Sequence, residues 1–122
     1  MRRTRSPSSS RKRLGPEAER RVRRHYRLRG WGVLAANARA GGYELDLVVR
    51  RGRRLVFVEV KARSGTGFGD PLEAVGALKT ARVRQATEAW LAVRPALQDL
   101  DVAFEAVAVR PDGRIARAPL DV

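Results

Sequence analysis

Two apolar runs in this chain carry charge where packing alone would call for none: Tyr43-Glu44-Leu45-Asp46-Leu47-Val48-Val49 and Leu55-Val56-Phe57-Val58-Glu59-Val60-Lys61. Residues two apart on a strand share a face, so Glu59 and Lys61 fall on one side with Leu55 and Phe57. By the same rule Glu44 and Asp46 share a side with Val48, opposite Leu45, Leu47 and Val49. A hairpin centred on Arg51-Gly52 puts Glu44 across from Glu59 and leaves Asp46 diagonal to Glu59, Cα atoms roughly 7–8 Å apart. One sheet face then gathers three carboxylates and an amine. Carboxylates this close repel, and the charged forms are favoured only with a cation between them.

Oxygen ligands without Cys or His select a hard divalent ion, Mg²⁺ or Mn²⁺. Such an ion can activate a water and neutralise the charge that develops on a phosphodiester. Lys61 on the same face can orient or deprotonate that water, or stabilise the leaving charge. The chemistry this arrangement suggests is metal-dependent phosphodiester hydrolysis. A plainer reading is that Glu59 and Lys61 pair with each other or with arginines on an exposed face. Composition weighs against it: only Lys12, Lys61 and Lys79 among 26 basic residues are lysine. Arg is a fixed charge, whereas a Lys ammonium is compact and its pKa shifts with its surroundings.

The elements that must position these groups follow from the rest of the chain. Residues 1–14 form a Ser/Pro/Arg segment, expected to be a disordered basic tail, and residues 15–122 one domain, which the resemblance given below implies is nuclease-like. Pro16, Glu17 and Glu19 suit the start of a helix, with Ala18, Val22 and Tyr26 as its buried stripe and Gly30 at its end. Trp31 to Ala36 reads as a first strand, Tyr43 to Val49 as a second and Arg54 to Ala62 as a central third. A glycine-rich loop over Ser64–Asp70 precedes Pro71, which opens a long helix to about Val93. No Gly-Lys-Ser/Thr follows that loop, so it is no phosphate-cradling nucleotide motif. Asp101 to Val109 is a fourth strand, and Arg110-Pro111-Asp112-Gly113 turns into a short edge segment. Short connections make the first three strands antiparallel, and the second helix is a crossover that permits parallel pairing of the fourth. The fold class is α/β, three layers around a mixed sheet, in the order α-β-β-β-α-β.

The formal net charge of +13 and pI near 11.7 imply a polyanionic partner, with nucleic acid first and anionic membrane second. Arg-rich composition also arises from genomic base bias, which needs no ligand. No apolar run reaches the ~18 residues that span a bilayer, and the basic start lacks the apolar core of a signal peptide. The absence of cysteine excludes disulfides and thiol chemistry. With a single histidine, His25, neither a catalytic triad nor a zinc site is available. A cytoplasmic protein is expected.

The chain resembles the YraN-type family of small bacterial proteins, themselves similar to PD-(D/E)xK nucleases of restriction-endonuclease-like fold, Holliday-junction resolvases among them. The resemblance runs from about Gly15 to Val109, and its carriers are Glu19 ahead of Arg29-Gly30-Trp31, Asn37-x-Arg39, Glu44-Leu45-Asp46-Leu47, Val56-Phe57-Val58-Glu59-Val60-Lys61-Ala62-Arg63, Phe68-Gly69 and Lys79. Two positions depart from the family pattern. Tyr43 stands where a glycine is usual, and Ala103-Phe104-Glu105-Ala106 replaces an Arg-Phe-Asp-Val pattern.

The resemblance implies that Asp46 and Glu59 are metal ligands, that Lys61 is the catalytic lysine and that Glu19 approaches the same site. Glu19 also borders the helix's buried stripe, where the macrodipole favours a carboxylate in any case. Glu44 is at most a helper. Arg39 and Arg63 flank the site and Lys79 and Arg82, with Gln85, line one side of the second helix, as contacts for a nucleic-acid backbone; a solvated face is the other reading of that helix. The expected function is DNA binding with an Mg²⁺- or Mn²⁺-dependent endonuclease site acting on branched or structured DNA, without a membrane role. The alternative is a non-catalytic nucleic-acid-binding or adaptor protein that keeps the fold. Junction resolution would need two active sites, hence a homodimer.

Overall fold

The run from Arg54 to Ala62 occupies the middle of a five-stranded sheet, as its almost unbroken apolar character requires. In the computed structural model, which describes residues 15–62 and 77–120, the elements are helix α1 (Pro16–Arg27) and strands β1 (Gly32–Ala40), β2 (Tyr43–Arg51) and β3 (Arg54–Ala62). Helix α2 (Ala77–Ala92), a 3₁₀ turn (Pro95–Leu97), β4 (Asp101–Val109) and β5 (Ile115–Pro119) follow. The spatial order is β1-β2-β3-β4-β5. The pair β3–β4 is parallel and the other three are antiparallel. The mixed α/β arrangement is the expected one, and the C-terminal edge segment is a fifth strand. The Ser64–Asp70 loop, the Pro71 helix start and the N-terminal tail lie outside the described residues.

Each helix buries one stripe against one face of the sheet. Val22 and Tyr26 of α1, with Trp31, pack on Leu47, Val49, Val56, Val58, Val107 and Val109. Ala86 and Trp90 of α2 pack on Leu45, Val48, Leu55 and Phe57. Phe57 is the hub of the second layer. Its ring meets Trp90 edge-on at 5.6 Å and lies 5.8 Å from Phe104. Burying a ring of this size contributes about 1.5–3 kcal/mol. Between them the two clusters clamp β3 from both sides, and a polar side chain on that strand is therefore conspicuous.

The hairpins correct two expected boundaries. The first strand does not stop at Ala36 but runs to Ala40, where Ala40 pairs with Tyr43 across the two-residue turn Gly41-Gly42, both glycines at positive φ. The second hairpin closes at Arg51↔Arg54 around Gly52-Arg53, not around Arg51-Gly52. Glycine at the first central position supplies the positive φ (61°) such a turn needs, and Arg53 is spared it. The β2–β3 register is thereby displaced two residues from the expected one.

Candidate functional site

Along β3 the alternation holds. Leu55 and Phe57 pack toward α2, while Val56, Val58 and Val60 pack toward α1. Glu59 and Lys61 continue the α2-facing side beyond Phe57. Glu59 is 3 % exposed and Lys61 half-buried. A carboxyl taken so far out of water is costly unless a proton, a partner or a cation compensates it.

On β2 the alternation fails, and it fails at Asp46. Leu45 belongs to the cluster under α2 and Leu47 to the cluster under α1, although residues two apart on a regular strand share a face. The neighbouring strand turns over at the same level. Asn37 sits between Ala36 and Ala38, whose partners are Leu47 and Leu45, so it faces Asp46 across the ladder. Its φ is 52°, a left-handed conformation that Asn tolerates better than other side-chain-bearing residues.

This double irregularity coincides with the end of the β2–β3 pairing. The ladder stops at Leu47↔Val58, and beyond it the Val60 amide donates to Asp46 Oδ2 at 2.8 Å. A side-chain carboxylate thus takes a strand amide that the backbone ladder no longer reaches. The same bond fixes Asp46 beside the Glu59-Val60-Lys61 segment. Asp46 thus lies at the strand end that carries Glu59 and Lys61; the register that brings it there is not the diagonal one expected from the hairpin.

Glu44 does not join them in the expected way. Tyr43 and Leu45 both pack on the α2 side, so Glu44 between them alternates toward the α1 side, with Arg39 as its cross-strand partner. Placing Glu44 and Asp46 on one regular face was therefore an error, caused by the strand's turnover at Asp46. Glu19 is half-buried on α1, next to Ala18, which packs on the core. Its helix covers the sheet face opposite α2.

The basic residues divide similarly. Arg39 is exposed on β1. Arg82 is exposed on α2 and its guanidinium lies 5.7 Å from the Tyr43 ring centre. Gln85 Nε2 donates to Gly41 O at 2.9 Å, so this side chain latches α2 to the first hairpin. A Cβ on Gly41 would approach Ala89 Cβ and Gln85 O at 3.1 Å, and at φ 58° any side chain there would be strained as well as crowded. Arg63 and the Lys79 side chain lie outside the described residues.

One polar network escaped the sequence reading. Glu105 of β4 accepts from Tyr26 Oη at 2.7 Å and from Arg117 of β5 through both Nε (3.0 Å) and Nη2 (2.9 Å). The Arg117 guanidinium also stacks 4.7 Å from the Tyr26 ring centre. Burial pushes the Glu105 carboxyl up, but hydrogen bonds from Arg117 and Tyr26 outweigh it and hold the group below its usual range. Burial, then the bond to Glu105, drives the Tyr26 phenol far up. Arg117 is held still more firmly protonated, chiefly by its bond to Glu105. The available signal was Glu105 itself, a carboxylate in an apolar strand. Its partners lie 79 and 12 residues away, and no local spacing announces them.

Among the described residues no group of three or more His, Cys, Asp or Glu is gathered as a metal site. Two carboxylates, Asp46 and Glu59, are what the strand end offers. That donor set fits Mg²⁺, which usually takes one or two protein carboxylates and keeps several waters.

Comparison with known proteins fixes the kinship. The chain is 46 % identical over 84 residues to a UPF0102 protein of Acidothermus cellulolyticus, covering 69 % of this chain and 64 % of the relative. It is 45 % identical over 96 residues to a UPF0102 protein of Beutenbergia cavernae, covering 79 % and 80 %, and 48 % identical over 82 residues to one of Frankia alni, covering 67 % and 68 %. Of the Acidothermus relative the chain thus spans less than two thirds. Residues 18–109 match the Uncharacterised protein family UPF0102, the YraN-type family, and the chain belongs to it.

Proposed function

We propose that this UPF0102 protein is a metal-dependent phosphodiesterase of the PD-(D/E)xK type, cutting branched or structured DNA. The observation that carries the reading is the Val60 N–Asp46 Oδ2 bond of 2.8 Å, which holds Asp46 beside a carboxylate only 3 % exposed, Glu59. Asp46 and Glu59 are the residues that would hold Mg²⁺ or Mn²⁺. When bound, such an ion activates water and neutralises charge developing on the phosphodiester. Asp46 is oriented by the Val60 amide and does not need to reorganise to act as a ligand. Burial of Glu59 keeps competing water away. Lys61, half-buried on the same strand side, presents a compact ammonium to the scissile phosphate. Arg39 and Arg82 contact the backbone on either side.

The experiment joins metal titration to cleavage. Asn at position 46 retains an acceptor for the Val60 amide, so Asp46→Asn removes the charge and keeps the fold. Calorimetric Mn²⁺ binding by the wild-type protein is expected to disappear in Asp46→Asn, and cleavage of a four-way DNA junction to fall at least about 100-fold in Lys61→Ala. A wild-type protein that binds DNA yet neither takes up Mn²⁺ nor cuts any DNA or RNA offered would instead be the non-catalytic binding protein.

A further inference from the structure

The candidate site uses few of the arginines, and the densest group of them lies on the other side of the molecule. Helix α1 and the turn after it carry Arg20, Arg21, Arg23, Arg24, Arg27 and Arg29 against two acids, Glu17 and Glu19. Ala18, Val22 and Tyr26 are turned inward to the core. Arg20, Arg24 and Arg27, spaced i, i+4 and i+7, are all exposed on the outer face of the helix. They border a cleft of about 760 Å³ that extends to Gly113 and Ile115 in the β4–β5 connection. Among the described residues Arg20, Arg23, Arg24 and Arg27 take part in no ion pair or side-chain hydrogen bond. The ion pair on this helix among the described residues, Arg21–Glu17 at 3.3 Å, is exposed on both sides and contributes little.

We infer that the outer face of α1 is a docking surface for the phosphate backbone of double-stranded nucleic acid, separate from the Asp46–Glu59–Lys61 strand end. The inference rests on the nucleic-acid part of the proposed function and not on catalysis. Unpaired like charges concentrated on one helix face have a cost unless a polyanion relieves it. Helical rise sets Arg20 and Arg27 about 10 Å apart along the axis, the length over which one strand of B-DNA carries roughly three phosphates. Three guanidiniums on one line thus meet about three charges.

The chemistry of the face discriminates among polyanions. A helix that lies in a membrane surface needs its apolar stripe free to enter the lipid, and that of α1 is buried in the core. Leu28 is the one large apolar side chain at the cleft that is well exposed, at 71 %. Single-stranded nucleic acid is gripped by exposed aromatic platforms, and Tyr26 and Trp31 at this face are buried. A duplex asks only for charge along a line. Because α1 and α2 cover opposite faces of the sheet, a duplex on α1 is an arm of the substrate that the cutting site does not touch, as branched DNA provides.

The test uses the full chain and the triple variant Arg20→Ala/Arg24→Ala/Arg27→Ala, with fluorescence anisotropy on a 20-bp duplex at several salt concentrations. The side chains are exposed, so the melting temperature should be unchanged. The slope of log K against log salt is expected to shrink by about 2–3, with affinity at 0.1 M salt down at least about tenfold. The corresponding triple Arg→Lys variant should bind nearly as wild type, since a phosphate accepts either cation. Mn²⁺ uptake, measured without DNA, should be unaffected by both. An Ala variant with wild-type affinity and salt slope overturns the inference and leaves the metal reading standing. Loss of Mn²⁺ uptake in Asp46→Asn together with wild-type DNA binding leaves the inference standing. Tighter binding to phosphatidylserine vesicles than to duplex, abolished in the Ala variant, would reassign the face to membranes and overturn it.

Discussion

Two carboxylates are placed in neighbouring strands of one sheet, and their surroundings are opposites. Glu105 in β4 faces the α1 layer and is neutralised within the protein by a bidentate guanidinium and a phenol. Glu59 in β3 faces the α2 side, and the Val60 amide next to it in sequence donates to a second carboxylate, Asp46, at a level where β1 and β2 both turn over. The parallel β3–β4 ladder is regular from Arg54↔Asp101 to Ala62↔Val109, whereas the β2–β3 ladder ends early at Leu47↔Val58. Regular pairing surrounds the carboxylate whose charge is already matched. Glu59 is paired regularly on its β4 side, to Ala106, and lies one residue past the end of the β2–β3 ladder on the other.

The sharpest way to break this comparison is to neutralise each acid in turn. Glu105→Gln leaves Arg117 without its anion in a site where the two side chains are 26 % and 17 % exposed. Removing a charged hydrogen-bond partner of this kind costs about 2 kcal/mol, or roughly 10 °C in Tm for a domain of this size. Glu59→Gln keeps the shape of a side chain only 3 % exposed, and its Tm is expected to fall less than that of Glu105→Gln while Mn²⁺ uptake is lost. Thermal melts of both variants decide the matter. Equal losses of Tm would make Glu59 a structural acid like Glu105 and remove the main support for a metal site.

A smaller effect tests the strand break itself. Asn37 at φ 52° is what turns β1 over opposite Asp46. Asn37→Val puts a β-branched residue in a left-handed conformation and is expected to cost about 1–2 kcal/mol, while Asn37→Gly should be nearly neutral. If the break serves to aim Asp46, the Val variant should also bind Mn²⁺ less tightly than the Gly variant. Matching affinities would separate the kink from the site.

Much of this was legible in the sequence because it is local. Helix α1 shows its stripe at Ala18, Val22 and Tyr26, and β3 shows its central place through an apolar run that a surface strand would not carry. Glu-x-Lys in that run and Glu-x-Asp before it marked the strand end. What escaped depends on relations between segments. The β2–β3 register turned on which of two residues beside Gly52 enters the turn, a choice decided by the backbone twist of both strands. The reversal of β2 at Asp46 depends on Asn37 in the partner strand, and period-2 counting along β2 alone assigns Glu44 to the wrong face. Glu105 stood out as an acid among apolar residues, yet only the folded sheet brings Tyr26 and Arg117 to it.

The smallest expected effect concerns pH, and it follows from the better-satisfied side of the comparison. His25 packs edge-on to Tyr26 at 5.6 Å, and its Nε2 is buried without a hydrogen-bond partner among the described residues. Burial lowers its pKa below the ordinary 6.5, helped by the Arg29 and Arg117 charges and opposed by Glu105. The folded state therefore holds the imidazole neutral, and the unfolded chain binds a proton sooner as the pH falls. Stability attributable to His25 is complete above pH 6.5 and declines below it. Glu105 acts in the same direction at lower pH: its folded pKa lies below 4.5, so its contribution is complete above 4.5 and is lost as the pH drops through the folded value. Melting temperatures between pH 8 and pH 3 should thus show two successive acid declines. His25→Gln, which cannot titrate, should flatten only the first, and Glu105→Gln only the second. A wild-type profile level from pH 7 to pH 5 would mean that His25 is solvated in solution, and that the α1 layer over the Glu105 network is less tightly closed than its geometry requires.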